Sequence, residues 1–201
     1  MAHVQLIAPE SLKKEFDRQM ALGAKQIDEN QLKPLFKLLK HIDAVHVGEG
    51  WLPFVIVLQG TIPLTVRMTN VVLKGKSGEN HFTDALVTDL EETSPRPYLI
   101  VDVEDGRAKV CGFSLRAKYE LAEQGRRVCT VIEGISTVTY NPEILESHFI
   151  DLPGSRYKQT ILPYLYRQAE TKQPGLGENL YDGANPFCGT MSCRARFIPM
   201  S

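Results

Sequence analysis

Four cysteines, five histidines, the carboxylates and the arginines are the side chains of this sequence with reactive or ionisable groups. Cys188 and Cys193 have four residues between them, while Cys111 and Cys129 are isolated from each other by 17 residues. A structural zinc site needs a second short-spaced pair of ligands. His81 and His148 could supply one only through the fold, so the expectation is buried or loop thiols, with no metal and no cofactor assigned. A nucleophilic cysteine needs a nearby cation or a helix N-terminus to lower its pKa. Cys193 precedes Arg194 and Arg196, which makes it a candidate with His148 or His81 as base. Cys129, between Arg126-Arg127 and Thr130, has a similar setting.

Asp102, Glu104 and Asp105 cluster at the end of an apolar run, where Asp102 could act as an acid or base. The plainer reading is a solvent-facing hairpin with Arg107 paired to one of the three. Ser155 and Arg156 follow the turn Pro153-Gly154 and precede Tyr157-Lys158. Turn amides and a guanidinium there could hold a phosphate or carboxylate, so Ser155, Arg156, Arg107 and Arg194 are the predicted ligand-binding residues. Asp84, after His81-Phe-Thr, is a further candidate pair. His3, His41 and His46 belong to no constellation. Lys74-Gly-Lys-Ser-Gly78 lacks the frame of a phosphate loop, and no lipase elbow, zinc-protease, dinucleotide or kinase signature occurs.

These residues must be positioned by ordinary elements. Pro9 to Leu22 reads as a helix with Leu12, Phe16 and Met20 on one stripe and Gly23 as its stop. A second helix is expected at Pro34–His41, antiparallel to the first. Phe54–Leu58 is a buried strand, and Leu64–Thr69 alternates like a half-exposed one. Tyr98–Val103 is the strongest strand, with Asp105-Gly106 turning into a return strand at Ala108–Cys111. A helix runs from Ser114 to Gly125 with Leu115, Tyr119 and Ala122 inward. Cys129–Tyr140 has β-branched content that favours a strand, but Thr130-x-x-Glu133 is a capping-box pattern and favours a helix start; a helix is preferred. Thr160–Tyr166 is expected at a sheet edge because Pro163 cannot donate to a ladder.

The chain of 201 residues is 43% hydrophobic and 23% charged, ordinary globular proportions. With 23 basic and 24 acidic residues, it lacks the positive balance that phosphate binding exploits. Nucleic acid is therefore the least favoured partner. Without a signal-peptide core, a spanning run or a dense cysteine framework, the expectation is a cytoplasmic protein with reduced thiols and no membrane partner. Leading helices followed by mixed strands and helices, without βαβ alternation, indicate α+β. Residues 1–201 are read as one domain, with N-terminal helices in 1–45 and a mixed body in 50–201.

The segments Tyr98-LIVDVEDGR, Gly125-RRVCTVIEGIS, Asn141-PEIL, Leu152-PGSR and Gly189-TMSC occur in an order that resembles a bacterial family known only as a domain of unknown function. Phe16-Asp-Arg-Gln19 and Leu52-Pro-Phe54 extend the likeness towards the front. The resemblance implies a helix start at Thr130–Glu133 and implies no activity. The chain departs from the family where Asn185-Pro-Phe187 and Cys188 replace a Trp-rich, Asn-Pro-His segment. The leading expectation is a module that binds a small anionic ligand or a protein partner. The alternative is a hydrolase or transferase using Cys193, or a carboxylate, with a histidine. A nucleic-acid accessory role would need Arg116, Arg126, Arg127, Arg194 and Arg196 to form one stripe.

Overall fold

The strands expected at Phe54–Leu58 and Tyr98–Val103 form as Trp51–Val57 and Tyr98–Glu104, and they pair antiparallel, with Phe54 opposite Val101 and Val57 opposite Tyr98. A computed structural model describes residues 3–23, 25–59, 62–109, 114–180 and 186–199. Every residue of Tyr98–Glu104 is buried, because the strand has neighbours on both edges. On its far side lie Ala195–Phe197 and Ser192–Cys193, and the latter pairs onward with Arg127–Val128. All of these pairings are antiparallel.

A second, mixed sheet is built on the Ile161–Arg167 strand, which pairs with Pro174–Leu180 along seven positions. Its other edge meets Phe149–Asp151 and then Ser155–Tyr157. Ser155–Tyr157 continues to Val87–Asp89, and Phe149–Asp151 runs parallel to Cys188–Thr190. The fold is therefore α+β with antiparallel and mixed sheets. Helix Val131–Tyr140 contacts both sheets through Trp51–Val57 and Ile161–Arg167, and helix Pro9–Gly23 packs on Trp51–Val57. Leu12, Phe16, Leu32, Leu35, Phe54, Ile56, Leu99, Ile135, Leu145 and Leu152 are buried in one continuous core. Among the described residues no helix is long and apolar enough to cross a membrane.

Several expectations need correction. The second front helix is a 3-10 helix, Lys33–His41, entered through an α-helical turn at Glu29–Leu32. Leu64–Thr69 is an α-helix, not a strand: Pro63 precedes it, Leu64 and Met68 are buried four apart, and Val66 faces out. Arg67 is buried on that helix and donates to the carbonyls of Leu58 and Ile62. No return strand follows Asp105-Gly106 over the described residues. Arg107–Lys109 is a 3-10 turn, and Cys111 lies outside the described residues. In the Ser114–Glu123 helix Ala117 and Leu121 are buried while Tyr119 is exposed.

Pro163 sits in an inner strand rather than at an edge. Its carbonyl accepts the Leu152 N–H at 3.0 Å, where the neighbouring chain turns at Pro153-Gly154. The missing donor thus falls in the gap between two partner strands, where no ladder bond is lost. The helix start at Thr130 carries both halves of a capping box. Glu133 N–H donates to Thr130 Oγ1 at 3.4 Å, and Thr130 N–H donates to Glu133 Oε2 at 2.8 Å.

Candidate functional site

Asp102 lies within a strand, is fully buried, and has φ +55°. That left-handed region costs most L-residues about 1–2 kcal/mol and Asp less, and within a strand such backbone concentrates where a side chain must be aimed. The carboxylate is aimed at His46, on the short strand Ala44–Val47. The His46 backbone N–H donates to Asp102 Oδ1 at 2.7 Å, and His46 Nδ1 lies 2.9 Å from Oδ2. An ionised carboxylate only accepts, so Nδ1 carries the proton, and in the neutral ring Nε2 is left as a lone-pair acceptor. That nitrogen has no protein partner among the described residues, and the His46 side chain is 36% exposed.

Two further residues hold this pair. Trp51 begins the strand beside Asp102, and its ring stacks on the His46 imidazole at 4.2 Å between centroids. The Arg126 guanidinium lies 4.7 Å from the Trp51 ring centroid. Arg126 donates to the Asp102 carbonyl at 2.7 Å and to Ser192 Oγ at 2.9 Å, and its Nη1 approaches Asp102 Oδ2 at 3.4 Å. A buried carboxylate is tolerated only when so supplied with donors.

Tyr98, at the other end of the strand that carries Asp102, belongs to a second buried network. Arg196 clamps Glu133 with two bonds, Nε to Oε1 at 2.6 Å and Nη2 to Oε2 at 2.8 Å. Tyr98 donates its hydroxyl to the same carboxylate at 2.8 Å. Burial works against the charge on Arg196, but the Glu133 carboxylate outweighs it and holds the guanidinium above its ordinary pKa. Burial, then the Glu133 charge, push the Tyr98 phenol far up.

The sequence candidates are distributed as follows. Cys193 is buried, as is Cys129, whose thiol pKa is raised first by burial and then by the neighbouring Cys193. His148 faces elsewhere, with Nε2 donating to the Asp105 carbonyl at 2.9 Å and Nδ1 lying 2.8 Å from Ser147 Oγ. His81 is on the surface beside Glu79. Neither histidine is bonded to Cys193. Cys188 lies against Asp151, and burial pushes its thiol well up.

Each of the predicted anion-binding residues has an intramolecular partner of its own. Ser155 is fully buried, donating to Asp89 and accepting the Val131 N–H at 2.9 Å. Burial raises the Asp89 pKa, and the Ser155 hydrogen bond opposes the rise. Arg156 donates to the Gln159 carbonyl at 3.0 Å. Arg107 is paired with Asp105 and Glu49, and Arg194 lies 3.6 Å from Asp43. Arg107 does line a cleft of about 400 Å³, but Glu49, Asp105, Glu143 and Glu146 line it too, which disfavours an anion there. The five arginines form no stripe: Arg126 and Arg196 are engaged internally, and Arg116 pairs with Glu120 on the surface.

His46 is the residue that sequence reasoning missed. Its partner Asp102 is 56 residues away, and no local spacing announces it. The one available signal was a histidine between Val45 and Val47 on a strand-like run.

The chain was compared with protein families, curated proteins and solved structures. No curated protein and no solved structure matches it. A family model matches residues 15–162, a span that holds His46, Trp51, Asp102, Arg126 and Glu133 but not Ser192 or Arg196. The chain therefore belongs to that family of unknown function, DUF5701.

Proposed function

We propose that the chain is a hydrolase in which His46 takes a proton from water and Asp102 positions it. The observation that carries the reading is a fully buried aspartate in left-handed backbone, bonded to Nδ1 of a histidine whose side chain is 36% exposed and whose Nε2 has no partner among the described residues. In this arrangement Nε2 accepts the proton of the attacking water, and the adjacent carboxylate stabilises the imidazolium that results. On collapse of the intermediate the same nitrogen returns the proton to the leaving group. Trp51 holds the ring plane by stacking.

Water is favoured over a side-chain nucleophile for two reasons. Ser192 Oγ is buried and accepts from Arg126, and the Cys193 thiol is buried against Cys129. The test is a panel of nitrophenyl esters and phosphates. His46→Gln is expected to remove the turnover found with the native chain, and Asp102→Asn to lower kcat by roughly 10²–10⁴, the usual worth of positioned acid–base catalysis. A substrate-independent arm is acylation by diethylpyrocarbonate with peptide mass spectrometry. His46 should react at least as fast as His81, whose side chain is 73% exposed, and more slowly in Asp102→Asn. Hydrolysis that persists unchanged in His46→Gln would sink the proposal.

A further inference from the structure

The front of the molecule carries a second candidate site, independent of His46. A groove of about 550 Å³ runs between helix Pro9–Gly23 and the 3-10 helix Lys33–His41. Its volume falls in the range of small-molecule pockets, which is roughly 300–1,000 Å³. Leu12, Phe36, Leu39 and Ile42 form an apolar floor, and among the described residues the charged ones lining it are Lys13, Lys37 and Lys40.

The pattern follows from the helix type. A 3-10 helix has three residues per turn, so side chains three apart eclipse one another. Phe36 and Leu39 therefore form one apolar column, and Lys37 and Lys40 form a cationic column beside it. Lys13 is partnered by Asp17 at 2.5 Å. Lys37 and Lys40 have no partner among the described residues, and no carboxylate lines the groove to neutralise them. Phe36 remains 45% exposed, an aromatic side chain with one face packed edge-on against Phe16 and another left to solvent.

We propose that this groove binds a long-chain carboxylate, a fatty-acid anion, with the alkyl chain on the Phe36–Leu39 column and the head group between Lys37 and Lys40. Charge complementarity selects an anion, and the apolar floor selects a chain rather than a compact polar ion. The site shares no residue with the His46–Asp102 centre.

The experiment is isothermal titration calorimetry of the full chain with monomeric decanoate and dodecanoate. Affinity should rise about fourfold per added methylene, the worth of one CH₂ group leaving water. Dodecanol and dodecyltrimethylammonium should bind at least tenfold more weakly than dodecanoate. Lys37→Glu with Lys40→Glu should weaken dodecanoate at least tenfold while leaving dodecanol unchanged, and the exposed Phe36→Asp should weaken both. Circular dichroism confirms that each variant is folded. Equal binding of anion, alcohol and cation would overturn the proposal, as would no detectable heat with dodecanoate. So would concentration-dependent dimerisation abolished by Phe36→Asp, which would give the groove to a second copy. Hydrolytic activity unaffected by the groove variants leaves the His46 reading to stand or fall by its own test.

Discussion

The left-handed backbone at Asp102 makes a prediction of unusual sign. In an ordinary strand interior, glycine is worse than alanine by roughly 0.5–1 kcal/mol, because it loses more freedom on folding. At φ +55° the order should reverse, since alanine's Cβ meets a carbonyl oxygen at a cost of about 1–2 kcal/mol. Asp102→Gly and Asp102→Ala both delete the carboxylate, so both lose the acceptor of the His46 N–H, the His46 ring and Arg126. Removing one member of a buried charged set costs about 3–5 kcal/mol, and that loss is common to the pair. What remains is the backbone difference. The glycine variant should be the more stable by about 1 kcal/mol, which is about 2–4 °C in Tm for a chain of this size. Urea unfolding followed by circular dichroism, with m-values compared, measures it. An alanine variant as stable as the glycine variant or more so would refute the strain argument, and with it the claim that Asp102 is held against its backbone preference.

Other consequences follow from buried groups. Arg196→Met strips Glu133 of its clamp and should cost about 3–5 kcal/mol by urea unfolding, with part restored in Arg196→Met/Glu133→Leu, since the stranded charge is then gone. Glu104 is pushed up to about 7 by burial, with the Ala108 N–H opposing the rise and Asp105 adding to it. Its folded pKa exceeds the unfolded one, so the folded chain binds the extra proton and stability falls as pH rises from about 4 to 7. Glu104→Gln should therefore gain on the native chain over that window, by up to about 3 kcal/mol, in unfolding curves taken at pH 4.5 and 8. Cys129, Cys188 and Cys193 are buried, so peptide mapping after iodoacetamide should find them unlabelled in the folded chain and labelled in urea.

What was legible beforehand was whatever short range decides. The capping box at Thr130 and Glu133 sits within four residues, and the helix it starts was readable against the β-branched content of Val131–Tyr140. The long apolar strands and the Gly23 helix end were readable for the same reason. Leu64–Thr69 was misread because six residues are too few to separate a period of two from a period of 3.6. Its true face is set by Arg67, whose guanidinium reaches the carbonyls of Leu58 and Ile62. Pro163 was misplaced because the gap that accommodates it belongs to another strand. Arg107, Arg156 and Arg194 looked like one anion site because all follow turns or loops. Their partners, on Asp105, Gln159 and Asp43, were chosen by the fold.

The Asp-Gly-Arg, Pro-Gly-Ser and Gly-Thr-Met-Ser-Cys segments share a structural role. Gly154 packs its backbone against that of Cys129, where an added Cβ would lie 2.6 Å from the Cys129 carbonyl carbon. Gly106, at φ +104°, meets the Gly189 backbone in the same way, at 2.7 Å. Ser155 caps the Val131 N–H, Arg196 and Tyr98 meet on Glu133, and Arg126 ties Asp102 to Ser192. The Pro-Gly-Ser, Asp-Gly-Arg and Gly-Thr-Met-Ser-Cys segments are thus the joints that hold the Tyr98–Glu104 strand, the Val131–Tyr140 helix and the C-terminal strands in register. Those joints leave one side chain at their edge with a free nitrogen, His46, and it comes from outside all of them. These segments build and brace Asp102, and the proposed base, His46, is a residue that no motif marks.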